Sequence, residues 1–259
     1  MNNNELDPWF NMIPNSALEE LANPIAHEIG QGLGGIASFI LNPARKLGIV
    51  SRKNLEEFEE KIYYKTKEIP EEDRDDSKQG LALKALEDSA YQLESETLQE
   101  MFSNLIASSL DNRINKDVHP LYSSILKDLT SLDAQIFQTI YFSNVVPTGG
   151  MSFIHPSTGN NVVVNENVIL TPREFIDQPN AVKTLEIKGL IDVYSTKYLV
   201  DSTHQQLYKN FENSDDITEY IERNKTRAKE YNLIPKPFRG HIKVSSLGKA
   251  FGKVVITDR

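Results

Sequence analysis

Between residues 81 and 110 the apolar side chains recur every three or four positions, in two separate stripes. Leu83, Leu86, Ala90 and Leu93 form the first; Leu98, Met101, Phe102, Leu105, Ile106 and Ser109 form the second. That spacing places each set on one face of an α-helix. Two consecutive helices with such faces have to bury them in a helical stack. The segment "ESET" at 94–97 separates the stripes, and Thr97 with Glu100 has the spacing of a capping box for the second helix.

The flanking segments continue the pattern. Upstream, Asn23-Pro24 opens a helix-like run with Ile25, Ile29, Leu33, Ile36 and Ile40 on one face. "SRKNLEEFEEKIYYKTKEI" sets Leu55, Phe58, Ile62 and Tyr63 on a face of an acidic helix, and "PEEDRDDSKQG" reads as a charged linker. Downstream, "DNRINKDVH" reads as a loop. Pro120 stands at a first helical position, with Leu121, Ile125 and Leu129 behind it, and Thr130 or Ser131 caps "LDAQIFQTIYF".

After Pro147 the character changes. "MSFIHPSTGNNVVVNENVIL" is rich in β-branched residues with a turn at Gly159-Asn160-Asn161, which predicts a hairpin. "TPREFIDQPNAVKTLEIKGLIDVYS" then reads as helix, turn, helix and strand, with Gly189 as a helix stop. A polar helical insertion follows, with Ile217, Tyr220, Ile221 and Ala228 on one face, and "HIKVSSLGKAFGKVVI" reads as strand then helix. A helix ending "KGLI" that feeds a two-stranded ribbon, closed by "VSSLGKAF", resembles a winged helix-turn-helix domain. The expected fold is α+β, mostly α. An N-terminal arm (1–22) and a helical bundle (23–129) precede a winged-helix-like domain (130–259) with a β-hairpin and a helical insertion in its wing at about 201–235.

Composition narrows the chemistry. The 259 residues include no cysteine, which removes thiolate metal sites, disulfides and cysteine nucleophiles. The five histidines, His27, His119, His155, His204 and His241, show no metal-binding spacing, and no serine lies in G-x-S-x-G. We therefore expect no catalytic site, cofactor or metal. His119-Pro120 reads as a helix-entry turn with a hydrogen-bonded imidazole, and Asn104 as the partner of a buried backbone group.

Net charge is −9, unevenly spread: residues 221–259 carry ten Lys or Arg against three acids, so that end is +7 and residues 1–220 are −16. A basic end on an acidic body admits contact with DNA or RNA. The candidate residues are Lys183 and Lys188 on the predicted recognition helix, with Arg239, Lys243, Lys249 and Lys253 on the ribbon and last helix. Solvated faces explain the same lysines.

"IGQGLGG" at 29–35 fits G-x-G-x-x-G, but "NPIAHE" before it reads as a helix start rather than a strand, which removes the dinucleotide reading. Glycines inside a helix cost about 1 kcal/mol each against alanine. Gly30 and Gly34 are therefore read as a packing seam, in the bundle or in a homo-oligomer; their G-x-x-x-G spacing also admits a membrane-acting helix. No window holds about 18 uninterrupted apolar residues, the length of a spanning helix, and no basic-then-apolar leader opens the chain. The expected location is the cytoplasm, with a peripheral position at the inner face of the membrane as the alternative.

The stretch "LEDSAYQLESETLQEMFSNLIASSLDN", followed by "HPLYSSILKDLTSLDAQIF", resembles the Abi-alpha family, bacterial proteins named for abortive infection and associated with defence against phage. "ETLQEMFSNLIASSL" is similar to that family's E-x-L-x-E-M/L-W/F-x-N-L-L-A-S segment, and "ILKDLTSLDA" to its I-L-K-x-L-S-x-L-D-A run. "NPIAHEIGQGLG" resembles its P-A-x-E-E-I-G-x-x-L-G. The resemblance implies a phage-defence factor acting through a protein partner or phage component, and it carries over no catalytic residues. A winged-helix nucleic-acid regulator and a membrane-acting effector are the alternatives.

Overall fold

The computed structural model describes residues 50–256, with Ala37, Ile40, Leu41, residues 44–46 and Gly48. Gly30 and Gly34 lie outside the described residues. The described residues up to Ala134, together with those from Ala250 to Ile256, form one compact unit, and Gln135–Lys249 form another.

In the helical unit, α1 (Arg52–Lys67) starts at Ser51, whose hydroxyl accepts from the Asn54 N–H at 3.1 Å. It buries Leu55, Phe58, Ile62 and Thr66, the three- and four-residue steps of one face. Its exposed side carries the Arg52–Glu56 and Lys53–Glu57 pairs, each one helical turn apart. Next come α2 (Gln79–Ser89) and α3 (Glu96–Ser109).

From Leu98 to Ser109 every residue of α3 is buried except Glu100, so α3 is enclosed on all sides. Its polar residues are therefore bonded inward. Ser103 donates to the Glu100 carbonyl and Ser109 to the Leu105 carbonyl, each at 2.8 Å. α4 (Leu121–Asp128) and α5 (Ser131–Ser143) follow. Thr130 Oγ1 accepts from the Asp133 N–H while the Asp133 carboxylate accepts from the Thr130 N–H, a reciprocal cap.

The segment predicted as a charged linker is built in. Its Lys78 ammonium donates to the carbonyls of Asn115 and Val118, and Asp75 accepts from Asn115 Nδ2 at 2.7 Å.

The second unit is built on one antiparallel sheet, ordered β3-β2-β1-β5-β4: β1 (Val145–Ile154), β2 (Asn161–Leu170), β3 (Phe175–Ile176), β4 (Ile191–Tyr194) and β5 (Ile234–Val244). α6 (Pro179–Ile187) precedes β4. α7 (Ser202–Glu212) and α8 (Asp215–Glu230) form the helical insertion between β4 and β5. α6 ends at Gly189 with φ 72°; the Leu190 N–H bonds to the Leu185 carbonyl and that of Gly189 to the Glu186 carbonyl, the Schellman pattern that a left-handed glycine permits. α9 (Ser246–Val255) closes the fold, capped by Ser245, which accepts from the Gly248 N–H at 2.8 Å.

Two local expectations change. Residues 171–178 form no helix: Thr171 Oγ1 accepts from the N–H groups of Arg173 and Glu174, which makes a side-chain turn, and the chain continues into β3. The helix-turn-helix expected over 171–189 is therefore the single helix α6. Conversely, β5 begins seven residues before "HIKVS", running through Pro235 and Pro237. Both prolines lie where β5 pairs with β1 alone, because β4 reaches only residues 241–244; a proline is tolerated at such an edge. Mostly-α α+β is the observed class. The division between the units falls within α5, and the second half of α9 belongs with the helical unit rather than the sheet.

Candidate functional site

Three carboxylates in the helical unit sit in polar nodes. Asp88, 7% exposed at the end of α2, pairs with Lys84 and accepts from Lys127 at 3.0 Å; Lys84 also donates to Ser123 and Ser124 on α4. Burial opposes its ionisation, but hydrogen bonds from Lys84, Lys127 and Ser123 outweigh that cost and hold the carboxyl below the usual range. Glu100 is held the same way: burial raises its pKa, and Lys65 and Lys61 of α1 more than compensate. Asp111 is fully buried and accepts from the Arg113 backbone N–H, Nε and Nη2 at 2.7–3.0 Å.

Glu100 therefore faces the α1 lysines instead of closing a capping box with Thr97. The cap is Ser95, whose hydroxyl accepts from the Leu98 N–H at 3.3 Å. Asp88 and Glu100 are ionised at neutral pH with their oxygens already engaged. They tie α2 to α4 and α3 to α1; a general base needs a free oxygen in reach of a substrate proton.

Asn104 donates through Nδ2 to the Val255 carbonyl at 3.0 Å, and Ser108 to the Val254 carbonyl at 3.3 Å. Together they bond carbonyls of the last turn of α9, groups that a helix end leaves without an intrahelical partner. His119 accepts through Nδ1 from the Leu121 N–H at 3.1 Å, at the entry to α4, and Pro120 is the residue just outside that helix. Asn104 thus serves the end of α9 from the middle of α3, and His119 and Pro120 stand at the entry to α4.

Three of the six basic candidates are each paired with an acid. Lys183 pairs with Glu186, one turn away on α6, at 2.7 Å. Lys188 is the residue closing α6 and is half-buried. Lys253 pairs with Asp117 of the helical unit, whose carboxyl that bond lowers. Arg239 is engaged: Nε and Nη2 hold both oxygens of Glu212 at 2.6 and 2.7 Å, and Nη1 donates to Gln205. Lys243 and Lys249 are exposed, with Asp192 directly across the β4–β5 ladder from Lys243.

The node around Arg239 is the feature that sequence reading missed. Its guanidinium carbon lies 5.3 Å from the Tyr208 ring centroid and 5.9 Å from that of Tyr198. Tyr208 is fully buried; its hydroxyl donates to the Gly240 carbonyl at 2.6 Å and accepts from the Leu199 N–H at 3.1 Å. This bidentate, doubly stacked arginine fastens α7 to β5. The residues are 27 to 41 positions apart, so no local spacing announces it.

Among the described residues no three His, Cys, Asp or Glu side chains are placed to hold a metal ion, and no helix is long and apolar enough to cross a membrane. A comparison with curated proteins finds no match. One solved structure, an uncharacterized protein from the hydrocarbon-degrading marine bacterium Alcanivorax borkumensis SK2, is similar at 13% identity and a TM-score of 0.34, over 53% of this chain and 93% of that one. The family described as abortive infection alpha matches residues 50–255, which takes in every described element of both units from α1 to α9. The chain belongs to the Abi_alpha family, and that membership ties it to abortive infection.

Proposed function

We propose that this chain is a phage-defence factor of the abortive-infection type that acts in the cytoplasm by contact with a partner protein or phage component. The match to the family over residues 50–255 carries the reading. The engagement of Asp88, Glu100 and Asp111 within the helical unit supports contact over catalysis, because the carboxylates of the matched helices hold the scaffold. Nucleic-acid contact is the weaker reading, since Lys183, Arg239 and Lys253 are each paired with an acid.

The test is expression in a phage-sensitive host, challenged with a diverse phage panel. The expected result is a reduced plaque count for at least one phage, with infected cells dying before they release progeny. Unchanged plating on every phage overturns the proposal.

A further inference from the structure

In the sheet unit the tip of the β1–β2 hairpin and the end of α8 enclose a crevice of about 480 Å³, within the roughly 300–1,000 Å³ of small-molecule sites. Phe153, Val162, Ala228 and Leu233 form its apolar wall. We propose that this crevice binds a small amphipathic carboxylate, its apolar body against that wall and its head on Arg227.

The wall is fixed by the way α8 ends. Asn232 adopts a left-handed conformation, φ 51°, and the Leu233 N–H bonds to the Ala228 carbonyl at 2.7 Å while that of Asn232 bonds to the Lys229 carbonyl. This is the Schellman pattern, in which the residue after the left-handed one packs back on the last turn. It sets Leu233 beside Ala228 as preformed floor. The hairpin side is equally fixed, since Phe153 and Val162 are direct partners in the β1–β2 ladder and the turn is closed by His155 and Asn160.

The charge of the site selects the head group. The chain carries −9, yet no Asp or Glu lines the crevice. Arg227 does line it, and among the described residues its guanidinium makes no ion pair or hydrogen bond. Two other titratable residues line it, Tyr231 and His155, and the latter is bonded through Nδ1 to Ser157. One unpaired guanidinium matches one carboxylate in a bidentate pair. Two apolar side chains at this tip, Val162 at 57% and Tyr231 at 56% exposure, stay in water without an occupant, and an apolar body would cover them.

The inference is independent of the defence reading and is tested by calorimetry on the full chain. The titrants are octanoate, decanoate and dodecanoate below their micelle concentrations, with decylammonium as the charge-reversed control. The expected result is one site that tightens about fourfold per added methylene and prefers decanoate to decylammonium. Arg227→Gln is exposed and should leave the fold intact; it is expected to weaken decanoate at least tenfold. Arg223→Gln, on the same helix but paired with Glu219, should change nothing.

Ala228→Leu, which narrows the crevice, should penalise dodecanoate more than octanoate. No heat with any carboxylate overturns the proposal, as does an Arg227→Gln chain that binds decanoate like the parent. Cosedimentation with phosphatidylglycerol vesicles that depends on Arg227 would also overturn it, by assigning the arginine to a membrane surface instead of a free ligand.

Discussion

The two units hold their polar groups in different ways. The helical unit distributes them: Asp88, Glu100, Asn104 and Ser108 each reach a second helix through a separate partner, and Asp111 holds Arg113 in the loop after α3. The sheet unit, beside single bonds from Ser152 and Ser245 to backbone carbonyls, has one half-buried node, where Arg239 gathers Glu212, Gln205, Tyr198 and Tyr208. Its core also depends on close backbone approach. A Cβ on Gly149 would stand 2.3 Å from the Phe211 ring, and one on Gly248 would stand 2.0 Å from the Leu190 carbonyl oxygen. Distributed ties make a scaffold that loses one interaction at a time. The node adds a polar tie to the core packing of Tyr208 and Phe211 that already attaches α7.

The largest effects should come from the two cores. Phe102→Ala, in the enclosed helix α3, and Phe211→Ala, on the face of β1, should each cost about 3–5 kcal/mol. Hydrogen exchange distinguishes them: the first should speed exchange in α1 to α3, and the second in α7 and β1. Equal acceleration in both units by either variant would break the contrast. Gly149→Val should match Phe211→Ala in direction, because the ring has to leave for the new side chain to fit.

A smaller effect, with a pH signature, belongs to the helical unit. Asp88→Asn should cost about 1–2 kcal/mol, less than a fully buried pair because both lysines remain partly in water. Asp88 and Glu100 have folded pKa values below their unfolded ones. Their contribution is therefore fully present above the ordinary carboxylate range near pH 4 and is lost as pH falls through the depressed folded values. Acid should destabilise the parent more steeply than Asp88→Asn. Parallel acid titrations of the two would contradict the assignment.

The helical stripes were readable because period and burial coincide: Leu98, Met101, Phe102, Leu105 and Ile106 are all buried. Caps were less so. Thr97 and Ser95 both offer a hydroxyl near the start of α3, and the choice falls on Ser95 because Lys61 and Lys65 draw Glu100 toward α1. The "HIKVS" half of β5 was readable, and its first seven residues were hidden by two prolines whose tolerance depends on how short β4 is, a fact of pairing and not of composition. The helix expected at 171–178 gave way to a turn because Thr171 bonds its own neighbours and Phe175 meets the Phe211 ring edge-on, 5.5 Å away. The crevice left even less trace, since its wall joins residues 153–162 to 224–233.

Asn104→Ala removes one of the bonds between α3 and the end of α9 and should cost about 1–2 kcal/mol. Ser108→Ala, whose bond is longer, should cost less. If the two are additive, the ties are independent; a double variant much worse than the sum would mean that the end of α9 is held as one cooperative unit.

Charge reversal at Lys243 and Lys249 should have the smallest effect on stability, within about 0.5 kcal/mol, because both side chains are exposed. It is nonetheless decisive for where the units differ in role. If the chain acts by contact with a protein, neither the parent nor Lys243→Glu/Lys249→Glu should shift duplex DNA or RNA at low salt. A parent that binds, with affinity falling steeply as salt rises and lost in the double variant, would identify phosphate neutralisation by the sheet unit. Of the other candidate cations in this unit, Arg239 holds Glu212 and Lys183 holds Glu186. Two free ammonium groups displace few counterions, so the salt slope expected of them is about −2 at most. A steeper slope would require further cations of this unit, the unpaired Arg227 among them, to join the contact, which Arg227→Gln would then reduce.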